Sequence, residues 1–171
     1  MSAITIFPLR RVLLAAAASA IVAAMPASAQ TASSTLSVGA VVTDNCTVST
    51  TAVDFGNVVV TVGGPRDGTG NLLVTCTNGT AWAATADAGQ ASGATPGARQ
   101  MTDGADALDY ALYTDNTRGT LWGDGTAGTA AMTGVGIGTV QNETIYASVL
   151  PGQTSVPAGN YADQINVTVT Y

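Results

Sequence analysis

Apolar and polar residues alternate one by one in two segments of the chain, one near each end. Because successive side chains of a β-strand point to opposite faces, this period of two is typical of a strand with one buried face. The apolar members are Leu36, Val38, Ala40 and Val42 in the first segment, and Ile165, Val167, Val169 and Tyr171 in the second. Only Val41 departs from the alternation in the first segment. Both segments are predicted to be strands.

Shorter strand signals fill the region between these two segments, and helix signals are missing. Turn signals separate them about every ten residues, as at Asn78-Gly79. Leu72, Val74 and Cys76 are expected to share a core-facing side, residues 63–68 to form a long turn, and residues 87–106 to form an irregular surface loop. The pattern predicts an all-β fold, an immunoglobulin-like β-sandwich. The apolar stretches lie at 46–48, 58–62, 72–76, 81–86, 108–113, 129–137 and 144–149.

The first 29 residues resemble an export signal. Arg10 and Arg11 precede an apolar run, and Pro26 and Ala27-Ser28-Ala29 follow it in the small-x-small pattern that a signal peptidase reads. The run is about fourteen residues long, whereas spanning a bilayer takes roughly twenty, so a retained membrane anchor is the less favoured reading. We predict a signal peptide over residues 1–29, a mature chain that begins at Gln30, and no membrane insertion of that mature chain.

Charge is scarce and acidic beyond the signal. Arg66, Arg99 and Arg118 face eleven acidic residues, a net charge of −8, and the sequence contains no lysine and no histidine. A basic surface for phosphates is therefore absent, which argues against nucleic-acid binding and against attraction to an anionic membrane.

The residue types that catalysis and metal binding need are also scarce. Without histidine, the usual nucleophilic triads and most transition-metal sites are excluded. Asp67, Asp103 and Asp124 each precede glycine, where turn geometry favours aspartate, and this outweighs a carboxylate pair for acid–base work. Asp106 and Asp109 follow Asp103 at intervals of three, but the β context argues against a calcium site. We predict no enzyme activity, no catalytic residues, no metal and no cofactor.

Two cysteines and two tryptophans complete the candidate residues. In an exported chain Cys46 and Cys76 most simply form one disulfide, which stabilises by about 3–4 kcal/mol on a loop-entropy estimate. Trp82 and Trp122 are predicted to be core or groove-lining residues, with a sugar-stacking surface as the alternative.

An ordered set of short strings spans the chain from residue 45 to its end. They are Asn45-Cys46-Thr47-Val48, Asp54-Phe55-Gly56, residues 74–79 (VTCTNG), residues 108–115 (LDYALYTD), residues 121–125 (LWGDG), residues 157–163 (PAGNYAD) and residues 167–171 (VTVTY). Together they closely resemble the spore coat protein U domain family, whose members include subunits of archaic (Csu-type) chaperone–usher pili. Each string is weak alone, and the specificity comes from their order.

The resemblance implies an incomplete sandwich, of pilin type, that lacks its last strand. It further implies that a periplasmic pilus chaperone lends a strand to the vacant groove, and that the next copy replaces it at an outer-membrane usher by donor-strand exchange. The extension at residues 30–45 would supply the donor strand through Leu36, Val38, Ala40 and Val42. Ile165, Val167, Val169 and Tyr171 would border the acceptor groove of the domain at residues 46–171.

The implied function is a homopolymeric surface pilus for adhesion and biofilm formation, reached by way of the periplasm. Two alternatives remain open. Residues 36–42 could instead be an ordinary first strand that completes a self-contained secreted or spore-coat domain. A tip adhesin is less favoured, because two-domain tip subunits are normally longer.

Overall fold

The computed structural model describes residues 28–61 and 64–171, and within these residues every regular element is a strand. The strands are β1 (Cys46–Thr50), β2 (Arg66–Cys76), β3 (Ala81–Ala86), β4 (Arg99–Asp103), β5 (Asp106–Tyr113), β6 (Leu121–Trp122), β7 (Thr129–Ala130), β8 (Met132–Val135), β9 (Gln141–Val149) and β10 (Val167–Thr170). The prediction of an all-β chain is confirmed. Among the same residues, no helix is long and apolar enough to cross a membrane.

The strands form two sheets. The larger has seven strands in the order β1-β2-β9-β5-β6-β7, with β4 paired to β5, and the smaller has the order β10-β3-β8. Pairing is antiparallel throughout except between β6 and β7. This is an immunoglobulin-like sandwich, as predicted.

The inner faces of both sheets contribute to one core. In β2, Leu72, Val74 and Cys76 are buried on one face, because alternate residues of a strand point the same way. The indole N–H of Trp122 in the large sheet donates to the backbone oxygen of Ala84 in the small sheet at 3.0 Å. Burial with a satisfied N–H explains the position of this tryptophan.

The predicted disulfide is confirmed and joins two neighbouring strands. Cys46 and Cys76 are bonded, and they are directly opposite each other in the β1–β2 ladder. Cys76 lies in the core, whereas Cys46 is only partly buried.

The region before β2 differs from the sequence prediction. Residues 58–61 are not a strand, although Val58 and Val60 pack partly on the core. Asp54 accepts the N–H of Gly56 at 2.7 Å, and the positive φ of Gly56 ends the extended backbone there. The predicted turn at 63–68 is also too long, since β2 already begins at Arg66 and Asp67 is a strand residue.

The predicted surface loop at 87–106 contains a strand and a buried charge. β4 occupies Arg99–Asp103, and Arg99 is almost completely buried. Its guanidinium donates five hydrogen bonds of 2.6–3.1 Å to backbone oxygens of Ala86, Asp87, Pro96 and Trp122. A charged group can be buried when its donors are satisfied in this way, although burial lowers the pKa of Arg99.

The N-terminal residues have no strand assignment up to Asn45. Residues 28–45 are exposed throughout, including the segment predicted to be a strand. The predicted signal peptide at 1–29 falls mostly on residues 1–27, which lie outside the described residues.

Candidate functional site

Strands β1 and β10 each have a free edge that carries apolar residues. Within the described parts of the chain, β1 pairs with β2 alone and β10 pairs with β3 alone. Each strand therefore presents a row of backbone N–H and C=O groups that no strand satisfies. An uncovered edge of this kind is a template for pairing with another chain.

The side chains along β10 alternate in burial. Ile165, Val167 and Val169 are half-buried and pack against the core, while Asn166, Thr168 and Thr170 are exposed. Tyr171 continues the inner row and is 58% exposed. These four predicted acceptor residues thus lie on one face of one edge, with their outer sides uncovered.

The edge of β1 shows the same incomplete burial. Val48 faces the same way as the disulfide and is 41% exposed, although its strand partner Val74 is fully buried. Beyond β1, Val53 and Phe55 pack close to Gly68 and Gly70 of β2, where a larger side chain would not fit. The apolar residues of both free edges border the same core.

The approach to β10 is fixed by a partly buried hydrogen bond. The hydroxyl of Tyr110 donates to a carboxylate oxygen of Asp163 at 2.6 Å, and the other oxygen accepts the N–H of Gln90 at 2.7 Å. Burial, together with this hydrogen bond, raises the pKa of the Tyr110 phenol. Sequence reasoning missed this pair, since a tyrosine in a strand and an aspartate 53 residues later carry no common motif.

The chain enters the sandwich at a defined point. Thr77 binds the incoming backbone from two sides: its Oγ1 donates to the oxygen of Thr43 at 3.3 Å and accepts the N–H of Asn45 at 3.1 Å. Thr80 Oγ1 donates to the carboxylate of Asp44 at 2.5 Å. Thr43–Asn45 are therefore held to the β2–β3 turn, and β1 begins directly after them.

The predicted donor residues precede this point and are solvent-exposed. Ala40 is exposed, and the larger apolar side chains are 83–89% exposed: Leu36 88%, Val38 88%, Val41 89% and Val42 83%. Residues 36–42 have no strand assignment. Exposed apolar residues in this number usually mark an interaction site.

The two tryptophans are not a sugar-binding surface. Trp82 is 3% and Trp122 1% exposed, so the predicted core role holds for both. The indole of Trp82 lies across Gly134 of β8, where a β-carbon would collide with the ring. A shallow open depression of about 580 Å³ lies over this region, between β3, β8 and the end of β10.

Several acidic residues accept backbone N–H groups of the turns in which they lie, among them Asp54, Asp115 and Asp124. Hydrogen bonds from Thr117, Gly119 and Thr120 lower the pKa of Asp115 to about 2. The backbone N–H of Asn160 donates to a carboxylate oxygen of Asp103 at 2.9 Å, and the side-chain amide of Gln100 donates to a carboxylate oxygen of Asp109 at 2.8 Å. In the described part of the chain no group of three or more potential metal ligands is present.

Comparison with known proteins agrees with this architecture. The chain is 36% identical over 170 residues to Protein U of Myxococcus xanthus, a match that covers 91% of this chain and 93% of that protein.

A solved structure has the same fold at low sequence identity. It is the CsuC–CsuE chaperone–tip adhesion subunit pre-assembly complex from archaic chaperone–usher Csu pili of Acinetobacter baumannii. The similarity has a TM-score of 0.54 at 18% identity, and it covers 76% of this chain but only 40% of the matched chain.

A family profile matches most of the chain. The Spore Coat Protein U domain profile covers residues 32–168, which include every strand assigned here except the last two residues of β10. The chain therefore belongs to the Spore Coat Protein U domain family.

Proposed function

We propose that this protein is the structural subunit of a surface pilus and that it polymerises by donor-strand exchange. Residues 36–42 of one copy fill the free edge of β10 in the next copy. The observation that carries the proposal is the free apolar edge of β10, together with an exposed N-terminal segment that has the same period of two.

The spacing of the two partners supports this proposal. Leu36, Val38, Ala40 and Val42 recur at about 6.6 Å along an extended chain, which is also the spacing of the half-buried row from Ile165 to Tyr171. Backbone hydrogen bonds to β10 supply affinity, and the four apolar side chains cover the exposed side of the core. The gain comes from removing apolar surface from water on both partners.

A free apolar edge requires a cover before assembly. In the proposed pathway residues 1–29 direct export, a periplasmic pilus chaperone covers the edge in transit, and an outer-membrane usher exchanges it for the donor segment. In this pathway the extension at 30–45 donates the strand, and the sandwich at 46–171 accepts it. The finished homopolymer lies on the cell surface and serves adhesion and biofilm formation, with no enzymatic step and no cofactor.

A pair of matched variants tests the donor segment. Val38→Asp places a charge on the face that enters the groove, whereas Ser37→Asp places the same charge on the opposite face. We expect Val38→Asp to reduce fibre formation at least tenfold and Ser37→Asp to leave it nearly unchanged, because burying an unpaired carboxylate is costly. Fibres are counted by electron microscopy of cells that also produce the chaperone and usher.

Deletion of residues 31–42 provides the complementary test. It retains Thr43–Asn45, which the β2–β3 turn binds, so the subunit should fold and bind the chaperone. It should not polymerise. If the deleted chain still forms fibres, residues 36–42 are not the donor strand. The same conclusion follows if Val38→Asp and Ser37→Asp reduce fibre formation equally.

A second candidate is a self-contained coat protein, which the match to the Spore Coat Protein U domain profile favours. In that case residues 36–42 close their own sandwich. The discriminating measurement is the state of the purified chain without a chaperone. A stable monomer whose residues 36–42 are protected from hydrogen exchange would support the coat protein, and an aggregating or polymerising chain would support the pilus.

A further inference from the structure

We propose that successive subunits also dock end to end, through two exposed apolar patches at opposite ends of the sandwich. The exit patch consists of Val135, Ile137 and Val140, and the far patch consists of Val59 and Leu150. The occupant of each patch is the other patch on a second copy of this chain. This inference rests on the proposed function, because it assumes that residues 36–42 enter the neighbouring copy.

The exit patch lies beside the point where the N-terminal segment leaves the sandwich. The β2–β3 turn that holds Thr43–Asn45 is bound on its other side by the connection between β8 and β9. There the N–H of Gly79 donates to the oxygen of Gly136 at 2.8 Å, and the N–H of Gly138 donates to the oxygen of Cys76 at 3.1 Å.

The composition of this connection is unusual for a surface segment. Val135, Ile137 and Val140 are 54%, 57% and 58% exposed. The sequence contains no charged residue between Asp124 and Glu143. Three exposed apolar side chains, one at the end of β8 and two on the uncharged connection after it, form a patch and are not scattered single residues.

The far patch lies at the other end of the long β2–β9 pair. β9 starts at Gln141, near the exit patch, and its nine residues lead to Val149, a length of about 26 Å at 3.3 Å per residue. Leu150 follows directly, and it borders a small depression with Val59. Val59 is 61% and Leu150 39% exposed.

The direction of the donor strand brings the two patches together. All pairings within the small sheet are antiparallel, so a strand added to β10 in the same way places Val42 beside Ile165. The Ile165 end of β10 is also the Leu150 end of the sandwich, since Asp163 binds Tyr110 and Tyr110 is the strand partner of Val149.

The connection between the two subunits is short. Only Thr43, Asp44 and Asn45 separate Val42 from β1, and the Cα atoms of Val42 and Cys46 can be at most about 14 Å apart. The exit end of the donating copy must then abut the far end of the accepting copy. Such a head-to-tail contact uses different surfaces on the two copies and repeats without closing, as a fibre requires.

The net charge of the protein favours a contact between the exit patch and the far patch. The chain beyond the predicted signal carries three arginines and eleven acidic residues, so copies repel one another over most of their surfaces. The exit patch has no charged side chain of its own, and the charged side chain that lines the same depression as Val59 and Leu150 is the cation Arg66. Bringing these two patches together therefore adds no repulsion between carboxylates of their own.

A cysteine pair tests the contact in the assembled fibre. Ile137→Cys and Leu150→Cys are introduced together into the full chain, which is exported and assembled normally. Within one copy the two positions are separated by about the length of β9, far beyond the roughly 7 Å limit between Cα atoms of a disulfide. A new disulfide must therefore join two copies, and we expect a ladder of multimers on a denaturing gel that reductant collapses to monomer.

The single variants Ile137→Cys and Leu150→Cys are the matched controls, because neither can connect an exit patch to a far patch. If the double variant forms fibres but runs as a monomer without reductant, the end-to-end contact is wrong while donor-strand exchange stands. If the unaltered chain forms no fibres, the proposed function fails and the contact fails with it.

A charge pair covers the case in which the double cysteine variant does not assemble. Ile137→Asp places a charge in the exit patch and should widen the distribution of angles between neighbouring subunits in electron micrographs. Adding Leu150→Arg to the far patch should narrow the distribution again, because the two opposite charges attract each other across the contact. Angles that are the same in all three chains would overturn the end-to-end contact.

Discussion

Tyr110 connects the large sheet to the start of β10, the proposed acceptor strand. Its hydroxyl is buried and donates to Asp163, two residues before Ile165. Asp163 also accepts N–H groups from Gln90 and Gln164, so one carboxylate fixes the approach to β10. The geometry of the free edge therefore depends on the Tyr110 phenol keeping its proton.

The raised pKa of Tyr110 predicts a specific alkaline sensitivity. An unfolded tyrosine loses its proton near pH 10, whereas burial and the bond to Asp163 hold the proton in the folded state to higher pH. The contribution of the phenol to stability is therefore complete below about pH 10 and is lost as the pH rises above it. Tyr110→Phe should lower stability by about 1–3 kcal/mol at pH 7 and should flatten the decline above pH 10.

The measurement is urea unfolding of a chain that begins at Gln30, at several pH values between 7 and 11. Tyr113→Phe, in the same strand, serves as a control for the loss of a hydroxyl. If the free energy of unfolding of Tyr110→Phe falls above pH 10 as steeply as that of the unaltered chain, the hydrogen bond to Asp163 does not control the loss of stability at alkaline pH.

Sequence patterns located most buried residues but not the buried charge. Leu72, Val74 and Cys76 follow a period that reveals which face is inside. Arg99 follows no such pattern, because its environment consists of backbone oxygens from segments that are distant in sequence. Only the folded chain brings Ala86, Pro96 and Trp122 around one guanidinium.

At the scale of elements, β1 depends on its disulfide more than on burial. Apart from Cys46, its residues are exposed, and it pairs with a single neighbour. Cys46→Ser with Cys76→Ser should therefore reduce the free energy of unfolding by about 3–4 kcal/mol, the loop-entropy value for a loop of this length. Urea unfolding of the unaltered chain and of the double variant measures this difference in the free energy of unfolding.

Hydrogen exchange identifies where the stability is lost. Amides of β1 should exchange much faster in the double variant, while those of β9, which is paired on both sides, should change only in step with global stability. Uniform acceleration in both strands would contradict a local role for the disulfide.

Most strands could be predicted because they alternate and end at clear turns. β4 could not, since Arg99 and Gln100 interrupt an Ala-, Gly- and Ser-rich stretch without an apolar period. Residues 58–62 have the opposite problem: they are apolar enough for a strand, but Val58 and Val60 cover the core from a loop. Residues 36–42 alternate as a strand does, but they form no strand in the structure. A strand also requires a neighbour to pair with, and within the described residues these have none.

At the scale of the whole molecule, the free edge of β10 predicts a large gain from self-complementation. Residues 36–42 are added after Tyr171 through a four-residue turn, which permits the antiparallel orientation, and the original residues 31–42 are deleted. We expect Tm to rise by at least about 10 °C, because burial of several apolar side chains contributes some kcal/mol and each shifts Tm by a few degrees. The chain should also remain monomeric.

Calorimetry and sedimentation measure both properties. The same chain with aspartate in place of Val38 in the added segment is the control, and it should show less than half of the increase. An unchanged Tm in the self-complemented chain would mean that the edge of β10 is not the acceptor.

The arrangement of the three arginines beyond residue 29 has a further consequence for proteolysis. Trypsin-like proteases cleave after lysine or arginine, and the sequence contains no lysine. Arg99 is enclosed, Arg66 lies in a strand ladder, and Arg118 is bonded to Asp67 in a loop that Asp115 holds together. The described part of the chain thus offers such enzymes almost no accessible peptide bond after arginine as long as it stays folded.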